Sequence, residues 1–424
     1  MPNPSAYPPP RLDSAGIFFL RFLPLENPPA SAQPKLILHL GQHKTGSTAL
    51  QLFLFRHVGA QGRLGLFYPP EAPSQHHRYS YTISHYRVYV LLRREAMIAC
   101  GDHAGAARFW ENNQLYCRPF DSVRAFFAAA DDDRIRLGAD TLIISAEDLL
   151  GMHTAHDSGF SPELIAPAAR ILASLAAEFN YTTRILVYAR RQDHLLGAHY
   201  IEYIKGLRSN DAEFPDFARH FAPRLRTLDL LAPWAAAFGD ASVLVRSYES
   251  GALASNGIVA DFFTHALGIP VPADWDTDSR SCNTSPDRDH LEFIRLFHRG
   301  GLPAVSGFRL QDILAASRAA KPSRAGQPRA KGINAWLSPA ERRALLAGHE
   351  ADNATIAARY TRTPGAPLFI EPLPDHDELW RPYPGLTAHR IRAITWALRK
   401  EKWYLSLRAR YRSARTRLRH LFST

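Results

Sequence analysis

The chain has 424 residues, a formal net charge of +11 and 31 prolines. This length exceeds that of a typical single domain, although a large α/β unit with appended segments can reach it. The prolines concentrate in the first 34 residues and beyond residue 320, so these regions are predicted to be irregular. The three cysteines are widely spaced and odd in number, which argues against a disulfide framework and favours a reducing compartment.

Most of the positive charge lies near the carboxyl terminus. Between Arg390 and Arg419, eleven lysines and arginines stand against one acidic residue, Glu401. The rest of the chain is nearly neutral, so no nucleic-acid partner is expected. Near the amino terminus, the apolar run 17–20 is too short for a signal peptide or a membrane span. The sequence therefore indicates a cytoplasmic protein.

Four short apolar runs predict the strands of a sheet. They are Leu36–Leu40, Thr141–Ser145, Arg184–Tyr188 and Ser242–Arg246. The intervals between them are long enough for one or more helices, as at 164–179 and 217–238. Nearly continuous apolar strands separated by helices are typical of a parallel sheet that is covered on both faces. The predicted fold class is α/β, with a parallel central sheet flanked by helices and a helical C-terminal extension.

A glycine-containing segment links the first predicted strand to a helix that begins near Ser47. It reads Gly41-Gln42-His43-Lys44-Thr45-Gly46-Ser47-Thr48. Two glycines at this spacing can wrap backbone N–H groups around a phosphate at the positive end of a helix, although an ordinary glycine turn is also possible. In P-loop nucleotide triphosphatases a lysine follows the second glycine. Here Ser47 takes that place and the lysine stands inside the loop, at position 44, in a variant of the P-loop nucleotide-binding type.

The segment from Lys44 to Leu54 resembles the 5′-phosphosulfate loop of the sulfotransferases that use 3′-phosphoadenosine 5′-phosphosulfate (PAPS), especially the heparan sulfate N-sulfotransferases. The resemblance implies transfer of the sulfuryl group from PAPS to an acceptor hydroxyl or amine, without an obligatory metal. Lys44 would stabilise the bridging oxygen as its bond to sulfur breaks. The residues implied to bind the cosubstrate are Gly41, His43, Lys44, Thr45, Gly46, Ser47, Thr48 and Arg190.

A second segment, from Tyr188 to Asp193, resembles the 3′-phosphate motif of the same family. The family places an arginine at a strand end and a serine eight residues later, and Arg190 fits the first position. The eighth residue onward is Ala198, so the serine is absent. Arg191, His194 or His199 could supply a replacement donor, or a basic pair at a helix start could carry no function. Two alternatives therefore stay open: a catalytically weakened nucleotide-binding protein of the same fold, and a P-loop nucleotide kinase.

Weaker matches extend the resemblance over about residues 34 to 361. They are Ser145–Glu147, Val245–Glu249, Cys282–Ser285 and Arg359–Tyr360. The predicted organisation is an irregular N-terminal segment at 1–33, a sulfotransferase domain at 34–362, and a linker with a basic C-terminal helix at 363–424.

An acceptor that attacks sulfur must lose a proton, so the reaction needs a general base. Family members use His or Glu after the helix that follows the phosphosulfate loop. The candidates in that segment are His77, His76 and Glu71, in this order, because histidine needs little pKa tuning near neutral pH.

Resemblance to carbohydrate sulfotransferases implies a glycan or glycolipid acceptor. In the basic tail, Ile394, Leu398 and Leu405 recur near helical spacing, with Trp396 and Trp403 between arginines. Such a helix could contact the inner face of a membrane peripherally, and a solvated terminal helix is the alternative.

Overall fold

The computed structural model describes residues 33–59, 62–70, 83–154, 160–206, 210–249, 251–253, 257–275, 286–300, 313, 336–363, 365–374, 380 and 382–400. These residues belong to a compact unit that begins at Gln33 and is built around one parallel β-sheet.

The sheet has five strands in the order β2-β3-β1-β4-β5, and every pair of neighbours is parallel. The strands are β1 (Lys35–His39), β2 (Leu66–Phe67), β3 (Thr141–Ser145), β4 (Thr182–Ala189) and β5 (Val243–Ser247). All four predicted strands are confirmed, as is the α/β class. Strand β2 was missed because two residues are too few to display a periodic pattern.

Helices flank the sheet on both faces, as predicted. The helices before β4 are α1 (Ser47–His57), α2 (Tyr86–Ala99), α3 (His103–Cys117), α4 (Val123–Arg136) and α5 (Ile165–Glu178). Those between β4 and residue 300 are α6 (Gln192–Lys205), α7 (Phe214–Phe221), α8 (Thr227–Phe238), α9 (Gly257–Phe262) and α10 (Arg288–His298). Beyond residue 300, the helices whose bounds lie in the described ranges are α11 (Pro339–Ala347), α12 (Glu350–Tyr360) and α13 (388–400).

Strand β1 is buried on both faces, which explains its continuous apolar run. Leu36 and Leu38 pack into the larger core with α2, α4, α5 and α8, whereas Ile37 packs into the core on the opposite face with α1 and α9. Side chains alternate across a strand, so one short segment joins the two cores. Each fully buried leucine contributes roughly 1.5–3 kcal/mol through its removal from water.

The order of the strands creates a crevice beside β1. The chain leaves β1 through α1 on one face, and it returns from β3 to β4 through α5 on the other face. The loops at the carboxyl ends of the neighbouring strands β1 and β3 therefore diverge. Ligands of open α/β sheets bind at such a reversal, outside the carboxyl ends of the strands.

A smaller apolar cluster joins α6, α7 and α10 to the C-terminal helix α13. Ile394 and Leu398 of α13 are buried in this cluster, while Trp396 on the same helix is 65% exposed. Arg390 pairs with Asp289 of α10 at 2.5 Å. The apolar face of the first part of the predicted basic helix thus packs against the protein, and residues 401–424 lie outside the described ranges.

The segment that precedes α13 also packs against the domain. Leu368 is buried in the larger core, and the backbone N–H groups of Ile370 and Glu371 donate to the Glu249 carboxylate at 2.8 and 3.3 Å. None of the helices in the described ranges combines the length and the apolar character that a bilayer span requires.

Replacement of Leu38 by alanine should lower the free energy of unfolding by about 2–5 kcal/mol, because it leaves a cavity in the central strand. Urea unfolding followed by circular dichroism measures this loss. The matched control is Leu115→Ala, since Leu115 is 57% exposed, and its effect should stay within about 0.5 kcal/mol. Equal losses in the two variants would contradict the burial of Leu38 in the larger core.

Candidate functional site

The loop of residues 41–46, called the glycine loop below, connects β1 to α1 at the carboxyl edge of the sheet. Gly41 has φ +98°, and a Cβ atom there would lie 2.9 Å from Cβ of Glu147. Gly46 has φ +80°, and its Cβ would lie 3.0 Å from the Tyr248 hydroxyl. Both positions combine a left-handed backbone with a close neighbour, so each requires glycine.

The backbone of the glycine loop alternates in handedness. Lys44 has φ +65° and Gly46 has φ +80°, while Thr45 between them does not have a positive φ. Such alternation turns successive N–H groups toward one side and forms a concave site for anions. Among the residues that the structure describes, none accepts a hydrogen bond from the backbone N–H groups of Lys44, Gly46, Ser47 and Thr48. The positive end of the α1 dipole lies at the same place, so the loop has the form of an anion cradle.

Hydrogen bonds of Gln42 hold the cradle in place. The hydroxyls of Thr45 and Ser47 donate to the Gln42 carbonyl at 2.6 and 3.3 Å. The Gln42 side-chain amide donates to Thr227 Oγ1 at 3.0 Å and accepts from the Arg190 backbone N–H at 3.0 Å. The Ser47 hydroxyl, expected to hold a phosphate, therefore faces inward in this structure, whereas Thr48 is exposed.

Lys44 forms an ion pair that sequence reasoning missed. Its Nζ lies 2.7 Å from Oε2 of Glu202 on α6, and Lys205 Nζ lies 3.1 Å from the same oxygen. Burial raises the pKa of the Glu202 carboxyl, but the attraction of Lys44 and Lys205 outweighs it and lowers the pKa to about 2. The spacing of Glu202 and Lys205 indicates only the pair within α6, and no local pattern indicates the pair with the distant Lys44.

Arg190, at the end of β4, braces the glycine loop. Its Nη1 donates to the Lys44 carbonyl at 2.7 Å, and its guanidinium lies over the Tyr248 ring at 5.9 Å from the centroid. Within the described ranges, no acceptor takes a hydrogen bond from its Nε or Nη2. Burial lowers the pKa of Arg190, and Tyr248, Asp193 and Glu371 oppose this shift. The side chain therefore keeps donors for a second anionic group beside the cradle.

Two of the proposed replacements for the missing serine belong to a structural network. Arg191 is buried and forms an ion pair with Asp193 at 2.9 Å, and it also pairs with Glu371 at 3.2 Å. His194 Nε2 lies 3.0 Å from the same Glu371 carboxylate. Asp193 additionally pairs with Arg342 of α11 at 2.7 Å. These contacts tie α6 to α11 and to the segment before α13.

Three buried histidines surround a small cavity behind the glycine loop. The ring of His43 lies 5.5 Å from that of His153 and 5.8 Å from that of His199. The cavity has a volume of ≈ 20 Å³, which is room for about one water molecule. Burial lowers the pKa of His153 and His199 well below 6.5, with further lowering by the charge of His43. His43, expected to touch the nucleotide or acceptor, here lines this cavity.

A buried polar layer supports the site from β3. Ser145 Oγ lies 2.7 Å from His39 Nδ1, and Gln51 donates to Glu147 Oε2 at 2.7 Å. His85 Nδ1 accepts from the Ser145 backbone N–H at 2.9 Å. These bonds hold the carboxyl end of β3, where Gly41 approaches Glu147.

The structure brings the predicted cosubstrate residues together at one edge of the sheet. They are Gly41, His43, Lys44, Thr45, Gly46, Ser47, Thr48 and Arg190. The predicted bases His77, His76 and Glu71 lie outside the described residues, as does the segment Cys282–Ser285. Within the described part of the chain, no three His, Cys, Asp or Glu side chains are grouped so as to hold a metal ion.

Comparison of the chain with protein-family models, with curated proteins and with solved structures finds no match.

Replacement of Gly41 by alanine should strain the loop and displace the Glu147 backbone. The control is Gly101→Ala. Gly101 has φ +82° and no atom lies within 4 Å of the added methyl, so this variant should lose only about 1–2 kcal/mol of stability. Gly41→Ala should lose about 1–3 kcal/mol more than the control, because it also creates a close contact. Urea unfolding compares the two variants, and equal losses would contradict the close packing at Gly41.

Stability should fall between pH 7.5 and pH 5. Burial lowers the pKa of four histidines. The pKa of His39 and His85 falls to about 4, and that of His153 and His199 falls well below 6.5. Their neutral forms are favoured in the folded protein, so below pH 6.5 the unfolded chain binds more protons and each histidine removes up to about 1.4 kcal/mol per pH unit. Asp148 opposes this trend, because burial raises its pKa.

The measurement is the urea midpoint of the wild-type protein and of His199→Gln at pH 7.5 and pH 5.0. The variant should lose less stability on acidification, because one buried titratable ring is absent. An identical loss in both proteins would show that His199 is not held neutral in the fold.

Proposed function

We propose that this protein is a PAPS-dependent sulfotransferase of P-loop type, in which the glycine loop binds the 5′-phosphosulfate of the cosubstrate. The observation that carries the proposal is the cradle of N–H groups from Lys44, Gly46, Ser47 and Thr48, with the lysine inside the loop. The lysine precedes the second glycine, as in the sulfotransferase loop that the sequence resembles, and does not follow it as in nucleotide triphosphatases.

The geometry suits the charge that develops during sulfuryl transfer. As the acceptor oxygen or nitrogen bonds to sulfur, the bond from sulfur to the bridging oxygen breaks and its electron pair stays on the phosphate. The N–H groups of the cradle and the Lys44 ammonium would stabilise this oxygen. The acceptor proton would pass to the base, for which His77, His76 and Glu71 remain the proposed residues.

Arg190 is the proposed partner of the 3′-phosphate. Its Nη1 donates to the Lys44 carbonyl of the glycine loop, and its other two nitrogen donors have no acceptor within the described ranges. A guanidinium donor set of this kind suits a phosphate well. Because Arg191 and His194 are engaged with Asp193 and Glu371, they are poor replacements for the serine that Ala198 displaces.

The proposed acceptor is a glycan or glycolipid, by resemblance to the carbohydrate sulfotransferases. Contact with the inner face of a membrane remains a proposal for the basic tail beyond residue 400. Within α13, Trp396 and Lys400 lie together, with the ammonium 5.3 Å from the ring centroid, while Ile394 and Leu398 face inward. An exposed tryptophan beside a lysine is a suitable group for an anionic surface.

Ligand-dependent melting separates the proposal from its alternatives. The desulfated product, at about 100 times its dissociation constant, should stabilise the fold by about 2.7 kcal/mol. A kinase would instead prefer ATP with Mg²⁺, and a catalytically weakened protein would bind the product without transferring sulfate. Incubation of sulfur-labelled PAPS with extracted polysaccharides and lipids then identifies the acceptor class.

Replacement of Lys44 by alanine should reduce the rate of labelled sulfate transfer by at least about a hundredfold, because the leaving oxygen loses its cation. The unfolding midpoint should stay close to that of the wild-type protein, since the pair with Glu202 is partly exposed. The control is Lys35→Ala at the opposite end of β1, which should transfer sulfate at the wild-type rate. Undiminished transfer by Lys44→Ala would refute the proposed mechanism.

A further inference from the structure

The ion pair between Lys44 and Glu202 joins the cradle to α6. The two side chains are 28% and 21% exposed, so solvent reaches the pair but does not surround it. In the described part of the chain, no other carboxylate lies within 4.0 Å of Lys44 Nζ. The ammonium that would serve a bound anion is therefore paired with a carboxylate.

The backbone at Lys44 is held separately from its side chain. Arg190 binds the Lys44 carbonyl at 2.7 Å, and the left-handed conformation of the residue is part of the loop. A lysine side chain has a flexible four-carbon stem, so its ammonium can change partner without movement of the backbone. The geometry thus allows Lys44 to turn from Glu202 to an anion in the cradle.

Lys205 makes such an exchange less costly. It lies 3.1 Å from the same oxygen of Glu202 that contacts Lys44. When Lys44 leaves, Glu202 keeps one positive partner and is not left as an unpaired, partly buried charge.

We propose that Glu202 is a positioning residue that holds the Lys44 ammonium in an ion pair and releases it to an incoming phosphate-type anion. Occupancy of the cradle and the position of Lys44 are then coupled, and Glu202 competes with the anion for one ammonium. The identity of the physiological anion rests on the proposed function. The exchange itself requires only that the cradle binds a phosphate group.

The test uses inorganic pyrophosphate as the probe and isothermal titration calorimetry as the measurement. Glu202→Gln removes the competing charge at nearly constant shape, so pyrophosphate should bind about threefold to tenfold more tightly than to the wild-type protein. The matched control is Glu178→Gln, which removes the same charge from an exposed pair with Arg124 and should leave the affinity unchanged.

A double-mutant cycle separates the exchange from general repulsion between Glu202 and the anion. In a Lys44→Met background, Glu202→Gln should change the affinity by less than about half of its effect in the wild-type background, because no ammonium is left to release. An equal gain in both backgrounds would mean that Glu202 acts only through its charge, and the proposal would fail. Weaker binding by Glu202→Gln would also overturn it.

A second measurement applies even where Lys44→Met binds pyrophosphate too weakly for the cycle. Acetic anhydride modification of Lys44, read by mass spectrometry of the digested protein, reports how freely its amine is exposed. Without ligand, Lys44 of Glu202→Gln should react several times faster than Lys44 of the wild-type protein, while Lys35 should react equally in both. Equal rates at Lys44 would refute the holding contact.

These results are distinguishable from failure of the proposed function. Pyrophosphate binding with the predicted coupling, but without sulfate transfer from PAPS, would support the role of Glu202 and refute the transferase. Transfer of sulfate from PAPS, with an unchanged affinity of Glu202→Gln for pyrophosphate, would support the transferase and refute the role of Glu202.

Discussion

The site depends on the conformation of one short turn, in which left-handed residues alternate with an ordinary one between β1 and α1. Lys44 and Gly46 supply the positive φ angles, and Gly41 allows the loop to touch the backbone of Glu147. This shape keeps the N–H groups of Lys44, Gly46, Ser47 and Thr48 from pairing within the described structure, at the positive end of a helix. A buried unsatisfied donor is costly, so a partly exposed row of donors is the form in which a protein can keep them for an anion.

The neighbouring strands supply what the turn cannot make alone. Gln42 connects the loop to Thr227 and to the Arg190 backbone, and Arg190 returns to the Lys44 carbonyl. The reversal of strand order beside β1 brings these loops to one crevice. The result is a cradle braced from β4 and closed on one side by α6, which carries Glu202.

Much of the architecture followed from local patterns. The four apolar strands, the parallel sheet and the start of α1 at Ser47 were predictable, because burial on both faces leaves continuous apolar runs and a glycine loop marks a helix start. Two features could not be predicted from local patterns. They are the two-residue strand β2 and the ion pairs of Arg191 with Asp193 and Glu371. A short strand has no periodicity, and an ion pair between Arg191 and Glu371 spans too great a sequence separation for any local pattern to indicate it.

The sequence by itself determined the chemistry available at the loop: two glycines, a lysine between them, hydroxyl residues after them, and an arginine at the end of a later strand. Only the tertiary structure decided how these groups are used. It paired Lys44 with Glu202, turned the Ser47 hydroxyl toward Gln42 and enclosed His43 with His153 and His199. Residue type sets which interactions a side chain can form, whereas the choice among partners depends on distances and burial that exist only after distant segments pack together.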